Sequence, residues 1–149
     1  MSSPRPAIIA LELFTLNFLW EMLQMRFYSS MKGLPFRSAT WLCTRAAAAD
    51  VGLLAVCYVI AALVARRSVW PLRPTLKAAA TFFALCLLAT ATIERWAIAT
   101  GRWSYNDTMP MVLGVGVLPL LQWTLIPALS LLLFRAHFRD CRSREEVPE

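Results

Sequence analysis

Three carboxylic acids, Glu21, Asp50 and Glu94, lie inside stretches that are otherwise apolar over membrane-spanning lengths. A charged side chain at mid-bilayer costs about 2.5–3.5 kcal/mol on insertion scales, so intramembrane acids face a protein interior or a cavity rather than lipid. Threading the chain through a membrane brings all three toward the same face, which predicts one shared polar pocket. A carboxylic acid held among apolar side chains can act as general acid. The aromatic faces of Trp20, Trp96, Trp103, Tyr105 and Trp123 would stabilise a cation formed beside it. The residue types therefore allow metal-free proton transfer: Glu94 as the acid, Glu21 or Asp50 as conjugate base or second acid, and Tyr105 and Gln122 orienting.

The elements that must hold these acids are four apolar segments, Ala7 to Met25, Ala46 to Ala65, Ala78 to Thr100 and Met111 to Phe134. Each is close to the roughly 20 residues needed to cross about 30 Å of hydrocarbon. With 58% hydrophobic and 16% charged residues in 149, too little polar surface remains to cover four such helices in water. The expected fold is all-α: a single domain, an integral-membrane bundle of four transmembrane helices, both termini on the same side, with a short charged tail over 135–149. The start carries a single arginine and no small-residue cleavage site follows it, so the first span is expected in the mature protein.

The net charge of +6 would suit nucleic acid, but the basic residues border the spans and are explained by topology. Nine of the 15 basic residues (Arg5, Arg66, Arg67, Arg73, Lys77, Arg135, Arg139, Arg142 and Arg144) fall on the side of the termini. Six (Arg26, Lys32, Arg37, Arg45, Arg95 and Arg102) fall on the other. The excess predicts cytoplasmic termini in a bacterial inner membrane, membrane lipid as the surrounding partner, and no nucleic acid. Cys43, Cys57, Cys86 and Cys141 form no CxxC pair, and His137 is the only histidine. No metal and no cofactor are expected on that inventory; His137 reads as a surface or headgroup residue.

The first span carries Asn17, Glu21, Gln24 and, just beyond, Tyr28. At 100° per residue they fall within roughly a 60° arc and form one polar stripe, with Glu12 on the opposite face. Such a stripe either lines a site or joins helices by hydrogen bonds. The connector Arg26 to Arg45 reads as an interfacial loop or a lid. Asp50 opens the second span, with Arg45 near enough to neutralise it. Thr90 and Glu94 share a face of the third, and Arg102 is a plausible partner for Glu94. In the fourth, Gly114, Gly116, Pro119 and Pro127 predict irregular packing around Gln122. The two halves are loosely alike: WEMLQMRFY with the following GLP, against ERWAIATGRWSYNDTMP. A duplicated two-helix unit would set Glu21 and Glu94 across a pseudo-twofold axis.

From Glu94 to Pro127 the chain reads ERWAIATGRWSYNDTMPMVLGVGVLPLLQWTLIP, an upstream Glu, then Gly-x-Trp-x-Tyr, a glycine-bearing run and a proline. This segment, about 34 of 149 residues, resembles the small membrane lycopene cyclase domain family and, more distantly, the integral-membrane terpenoid cyclases. The resemblance implies a helical bundle whose intramembrane acids protonate a polyene without a metal, acting on a prenyl or carotenoid substrate, with Glu94 in the place of the family's upstream Glu. The chain departs from the family after Pro119, where Leu120, Leu121 and Gln122 stand in place of paired acids. Gln122 can donate a hydrogen bond but cannot protonate a double bond. Trp103 and Tyr105 belong to the shared motif and join Asn17, Gln24, Tyr28 and Gln122 as candidate substrate-binding residues.

Three functions compete at this level. An isoprenoid cyclase or isomerase needs a pocket closed to water and open to lipid. A proton-coupled transporter, or a lipid- or pigment-binding subunit, needs for transport an aqueous path and a homo-oligomer, since four helices are few. A structural or accessory protein needs its acids paired with Arg45, Arg95 and Arg102. No phosphate-binding glycine loop and no serine–histidine pair is present.

Overall fold

The computed structural model describes residues 6–145, and the side chains of residues 7–138. The side chains of Arg5, Arg139, Cys141, Arg142 and Arg144, named above, lie outside the described residues. Four helices dominate: α1 (Pro6–Gln24), α2 (Phe36–Ala65), α3 (Leu76–Ala99) and α4 (Val117–Glu145). All four contain windows long and apolar enough to cross a membrane, and the chain is a multi-pass membrane protein. They form a ring in which α1 packs on α2 and α4, and α3 packs on α2 and α4. Large apolar side chains point outward from every helix, among them Leu23, Leu63, Leu88 and Leu132. In water this would be a liability; in lipid it is the expected outer surface.

Helix α2 begins ten residues before the apolar segment that the sequence suggests, so Phe36–Arg45, read as the second half of a loop, is helix. Hydropathy falls there because of Arg37 and Arg45, but helical propagation needs only favourable backbone propensity, which the alanine-rich stretch after Arg45 continues. At 1.5 Å per residue, its 30 residues span about 45 Å, more than the hydrocarbon thickness. At the other end of α2, Arg66 adopts a left-handed conformation (φ 53°) and the chain turns, with Arg67 N–H bonding the Ala62 carbonyl. Thr75 then caps α3 by accepting from the Ala78 amide at 3.2 Å.

The fourth apolar run divides differently from a single span. Met111–Val112 and Val115–Gly116 form strands β1 and β2 of a two-residue hairpin, paired Met111 with Gly116 and Val112 with Val115. Leu113 and Gly114 at its tip both have positive φ (51° and 78°), the requirement of the tight hairpin turn that follows the twist of the strands. Gly114 and Gly116 therefore belong to a hairpin, and α4 starts only at Val117. Pro119 consequently lies in the first turn of α4, where its missing N–H is one of the groups a helix leaves unbonded anyway. Pro127 is the proline inside the helix. At its other end α4 continues to Glu145, so the tail begins as helix.

The connectors after α1 and α3 meet at one end of the bundle. Tyr28 and Tyr105 form an antiparallel bridge. Ser29 N–H donates to the Ser104 carbonyl at 2.9 Å, and Asn106 N–H to the Phe27 carbonyl at 2.9 Å. The two connectors are thus tied together by one antiparallel bridge. At the opposite end Arg135 Nε donates to the Pro71 carbonyl at 2.7 Å. There His137 Nε2 lies 2.9 Å from Glu12 Oε2, tying α1 to α4. His137 thus has a carboxylate partner, a pairing invisible from residues 125 positions apart.

Candidate functional site

The polar stripe of α1 faces inward, and each member meets a group that the ring of helices delivers. Asn17 and Gln24 are buried. Gln122, from the second turn of α4, is also buried and links three helices: its Nε2 donates to Asn17 Oδ1 at 3.0 Å and to Asp50 Oδ2 at 2.9 Å. Its Oε1 accepts from Gln24 Nε2 at 3.2 Å. Gln24 Nε2 also donates to Glu21 Oε1 at 2.7 Å, and Gln24 Oε1 accepts from Trp20 Nε1 at 3.1 Å. Asn17 Nδ2 closes the chain on the Leu13 carbonyl at 2.9 Å. Buried amides of this kind hold only if nearly every lone pair and proton finds a partner.

Glu94, buried on α3, sits in a second cluster built from the two connectors. Its Oε2 accepts from Trp103 Nε1 at 3.0 Å and from the Tyr105 hydroxyl, and its Oε1 lies 3.4 Å from the Tyr28 hydroxyl. The Tyr105 oxygen itself accepts from Gly116 N–H at 3.0 Å, which directs its own proton to Glu94. Burial, and after it the neighbouring Glu94 carboxyl, raise both tyrosine hydroxyls above the ordinary phenol range. Both therefore remain protonated donors at neutral pH. The space beside Gly116 is filled in turn: a Cβ there would stand 3.0 Å from Tyr105 Cζ and 3.1 Å from Met109 Sδ.

Between the two clusters lies a cavity of about 300 Å³ lined by Glu21, Asp50 and Glu94 together, with Gln24, Tyr28, Thr90, Trp103, Gln122 and Trp123. The three acids come from three helices and share one space. Leu42 of α2 and Ile93 of α3 line the same cavity and are also exposed on the outside of the bundle. The cavity wall formed by α2 and α3 at this end is therefore also part of the lipid-facing surface. Below Asn17 the interior is apolar, filled by Leu13, Leu54, Cys57, Phe82, Cys86 and Ile126.

Of the sequence-predicted residues, Glu21, Gln24, Tyr28, Asp50, Glu94, Trp103 and Gln122 reach the cavity wall. Asn17 lies beneath it, bonded to Gln122, and Tyr105 stands behind Glu94 rather than on the wall. Trp96 is half exposed and is not among the cavity-lining residues; the Arg102 guanidinium, from a residue that does line the cavity, stacks on its ring at 4.5 Å. The expected arginine partners do not appear. Among the described residues none of the three cavity acids has a lysine or arginine within ion-pair distance. Asp50 bonds to Gln122 in place of Arg45, and Glu94 bonds to aromatic donors in place of Arg102. Sequence reasoning missed Gly116 and the Ser29–Ser104 contact, whose hydroxyls lie 2.6 Å apart. The repeated connector pattern was the signal that could have suggested the pairing.

No family model, curated protein or solved structure matches the chain.

Proposed function

We propose that this protein is a membrane enzyme that cyclises or isomerises an isoprenoid or carotenoid lipid by acid–base chemistry in its intramembrane cavity. The observation that carries the reading is the convergence of three carboxyls from three helices on one aromatic-lined space whose wall residues Leu42 of α2 and Ile93 of α3 are also exposed on the outer surface. A lipid-soluble substrate would enter between those two side chains without a water-filled path. The cavity is at the small end of ligand pockets, so it suits one end of a prenyl chain rather than the whole of a long carotenoid.

The hydrogen-bond pattern favours roles opposite to those first expected from the sequence. Glu94 receives three donors on its two oxygens, the surroundings of an acceptor. Glu21 and Asp50 each receive an amide donor on one oxygen, which leaves the other to face the cavity. In this reading Asp50 or Glu21 gives its proton to a terminal double bond. The resulting carbocation lies against Trp103, Trp123 and Tyr28, and either closes a ring on a second double bond or keeps its skeleton. Loss of a proton from the adjacent carbon to Glu94 restores an alkene. The proton then returns through the cavity to its donor, so no oxidant, reductant or metal enters the balance.

The apolar interior below Asn17 argues against an aqueous route through the monomer and so favours this reading over transport. By the excess of basic residues the termini lie on the cytoplasmic side of a bacterial plasma membrane, and the cavity lies toward the opposite face. Mass spectrometry of apolar extracts from a deletion strain tests the proposal, with wild type and Glu94→Gln reintroduced separately. A prenyl lipid or pigment that shifts on deletion should return with wild type, while Glu94→Gln should restore it at least about a hundredfold more slowly. Identical extracts from all strains would reject chemistry and leave the cavity a binding role.

A further inference from the structure

The cavity's charge is sorted by depth. Its floor and walls carry three carboxyls, whereas its rim carries Arg102 and Ser30. Arg102 lies in the connector three residues beyond the end of α3, at the level where a cationic side chain of a membrane protein meets lipid headgroups. Its guanidinium is held against the Trp96 ring at 4.5 Å, and among the described residues it has no carboxylate partner. This position is not explained by the chemistry proposed above, which uses only acids and aromatic rings. An arginine spared from pairing, fixed by stacking and placed beside a cavity, is suited to bidentate recognition of a phosphate or carboxylate.

We infer that the ligand of this cavity is an amphiphile with an anionic head, a prenyl phosphate or prenyl carboxylate, whose head docks on Arg102 while its apolar chain enters between Leu42 and Ile93. The inference rests on the reading that the cavity takes a prenyl chain, and narrows it by excluding a pure hydrocarbon as the best ligand. Glu94, the ionised base of the proposed cycle, repels an anionic head and so fixes the direction of entry. A headgroup at the rim also matches where a lipid's own head sits in the bilayer, so the chain need only turn sideways into the gap.

Binding to the full-length protein in nanodiscs of zwitterionic lipid separates the possibilities, with farnesyl phosphate, farnesol and inorganic phosphate as probes. Farnesyl phosphate should bind at least about tenfold more tightly than farnesol, the scale of one charge-assisted contact. Arg102→Gln should reduce that preference to within about twofold while leaving farnesol binding unchanged. Arg102→Lys should retain part of it, and unchanged farnesol binding shows that each variant is folded. Equal binding of the two prenyl probes by wild type, or a preference that survives Arg102→Gln, overturns the head-group assignment alone. Displacement of farnesyl phosphate by inorganic phosphate at equal concentration overturns it too, since that marks a free-anion site. If neither prenyl probe binds, the prenyl reading of the cavity fails as well. Glu94→Gln should keep the phosphate preference even where it abolishes conversion.

Discussion

The two ends of this bundle solve the same packing problem with different materials. At the end of the 66–75 connector the helices close on small and aromatic side chains: Ala61 and Ala78 are fully buried, and Trp70 packs edge-on to Phe82 with centroids 5.6 Å apart. At the other end Asn17, Gln24 and Gln122 join the helices by hydrogen bonds, and the three acids line a cavity between them. The contrast extends to hydrogen bonding. Among the described residues the buried side-chain polar atom left without a partner is Trp70 Nε1, in the apolar half, whereas the buried amides of the polar half are bonded. One half supplies packing energy; the other spends it on a preorganised polar space, where each group must be satisfied or the space would collapse.

This division is open to direct attack. Phe82→Ala empties a fully buried site in the apolar half and should lower unfolding free energy by about 3–5 kcal/mol, read as a loss of thermal stability in detergent. Glu21→Gln, in the polar half, should change it by less than about 1 kcal/mol. Equal losses from the two would show that the halves do not differ in kind. Gln122→Leu comes next. It strips partners from Asn17, Gln24 and Asp50 at once, and should cost about 1–3 kcal/mol although the new side chain is more apolar. A stabilised Gln122→Leu protein would mean that the network is dispensable.

Gly116→Ala sharpens the comparison within the polar half. The added methyl meets the Tyr105 ring at 3.0 Å and should weaken the Tyr105–Glu94 contact, lowering stability by about 1 kcal/mol. Tyr105→Phe should mimic the effect. A Gly116→Ala protein of wild-type stability would place the tyrosine's support elsewhere. The smallest effect belongs to the opposite end: Glu12→Gln removes the partly exposed pair with His137 and should cost under about 1 kcal/mol. A double-mutant cycle with His137→Gln measures that coupling.

Much of the polar half was legible in the chain because a helix repeats its faces regularly. Asn17, Glu21, Gln24 and Tyr28 could be placed on one stripe from spacing alone, and all four turn inward. The hairpin was not legible, because Met111 to Gly116 is as apolar as the helix that follows. Strands of two residues are also too short to show a period of two. The partners of the acids were misjudged for another reason. Arg45 and Arg102 are near Asp50 and Glu94 in sequence, but proximity along a chain does not set side-chain direction: Asp50 is bonded by Gln122 from α4, and Glu94 by Trp103 and Tyr105 from the same connector as Arg102.

By itself the sequence determined that this chain forms four apolar helices, and that its three intramembrane acids would avoid lipid, since a carboxyl in hydrocarbon is too costly to leave unaccompanied. The shared pocket was also an expectation of the sequence, but only the tertiary structure decided which side chains enclose it, that Glu94 answers to Tyr28, Trp103 and Tyr105 rather than to an arginine, and that Arg102 stands at the rim. Those outcomes depend on which helices are neighbours and how two connectors pair across the end of the bundle. The contacts that join distant segments, Tyr28 with Glu94 across 66 positions and Asn17 with Gln122 across 105, are fixed by packing geometry that no local pattern encodes.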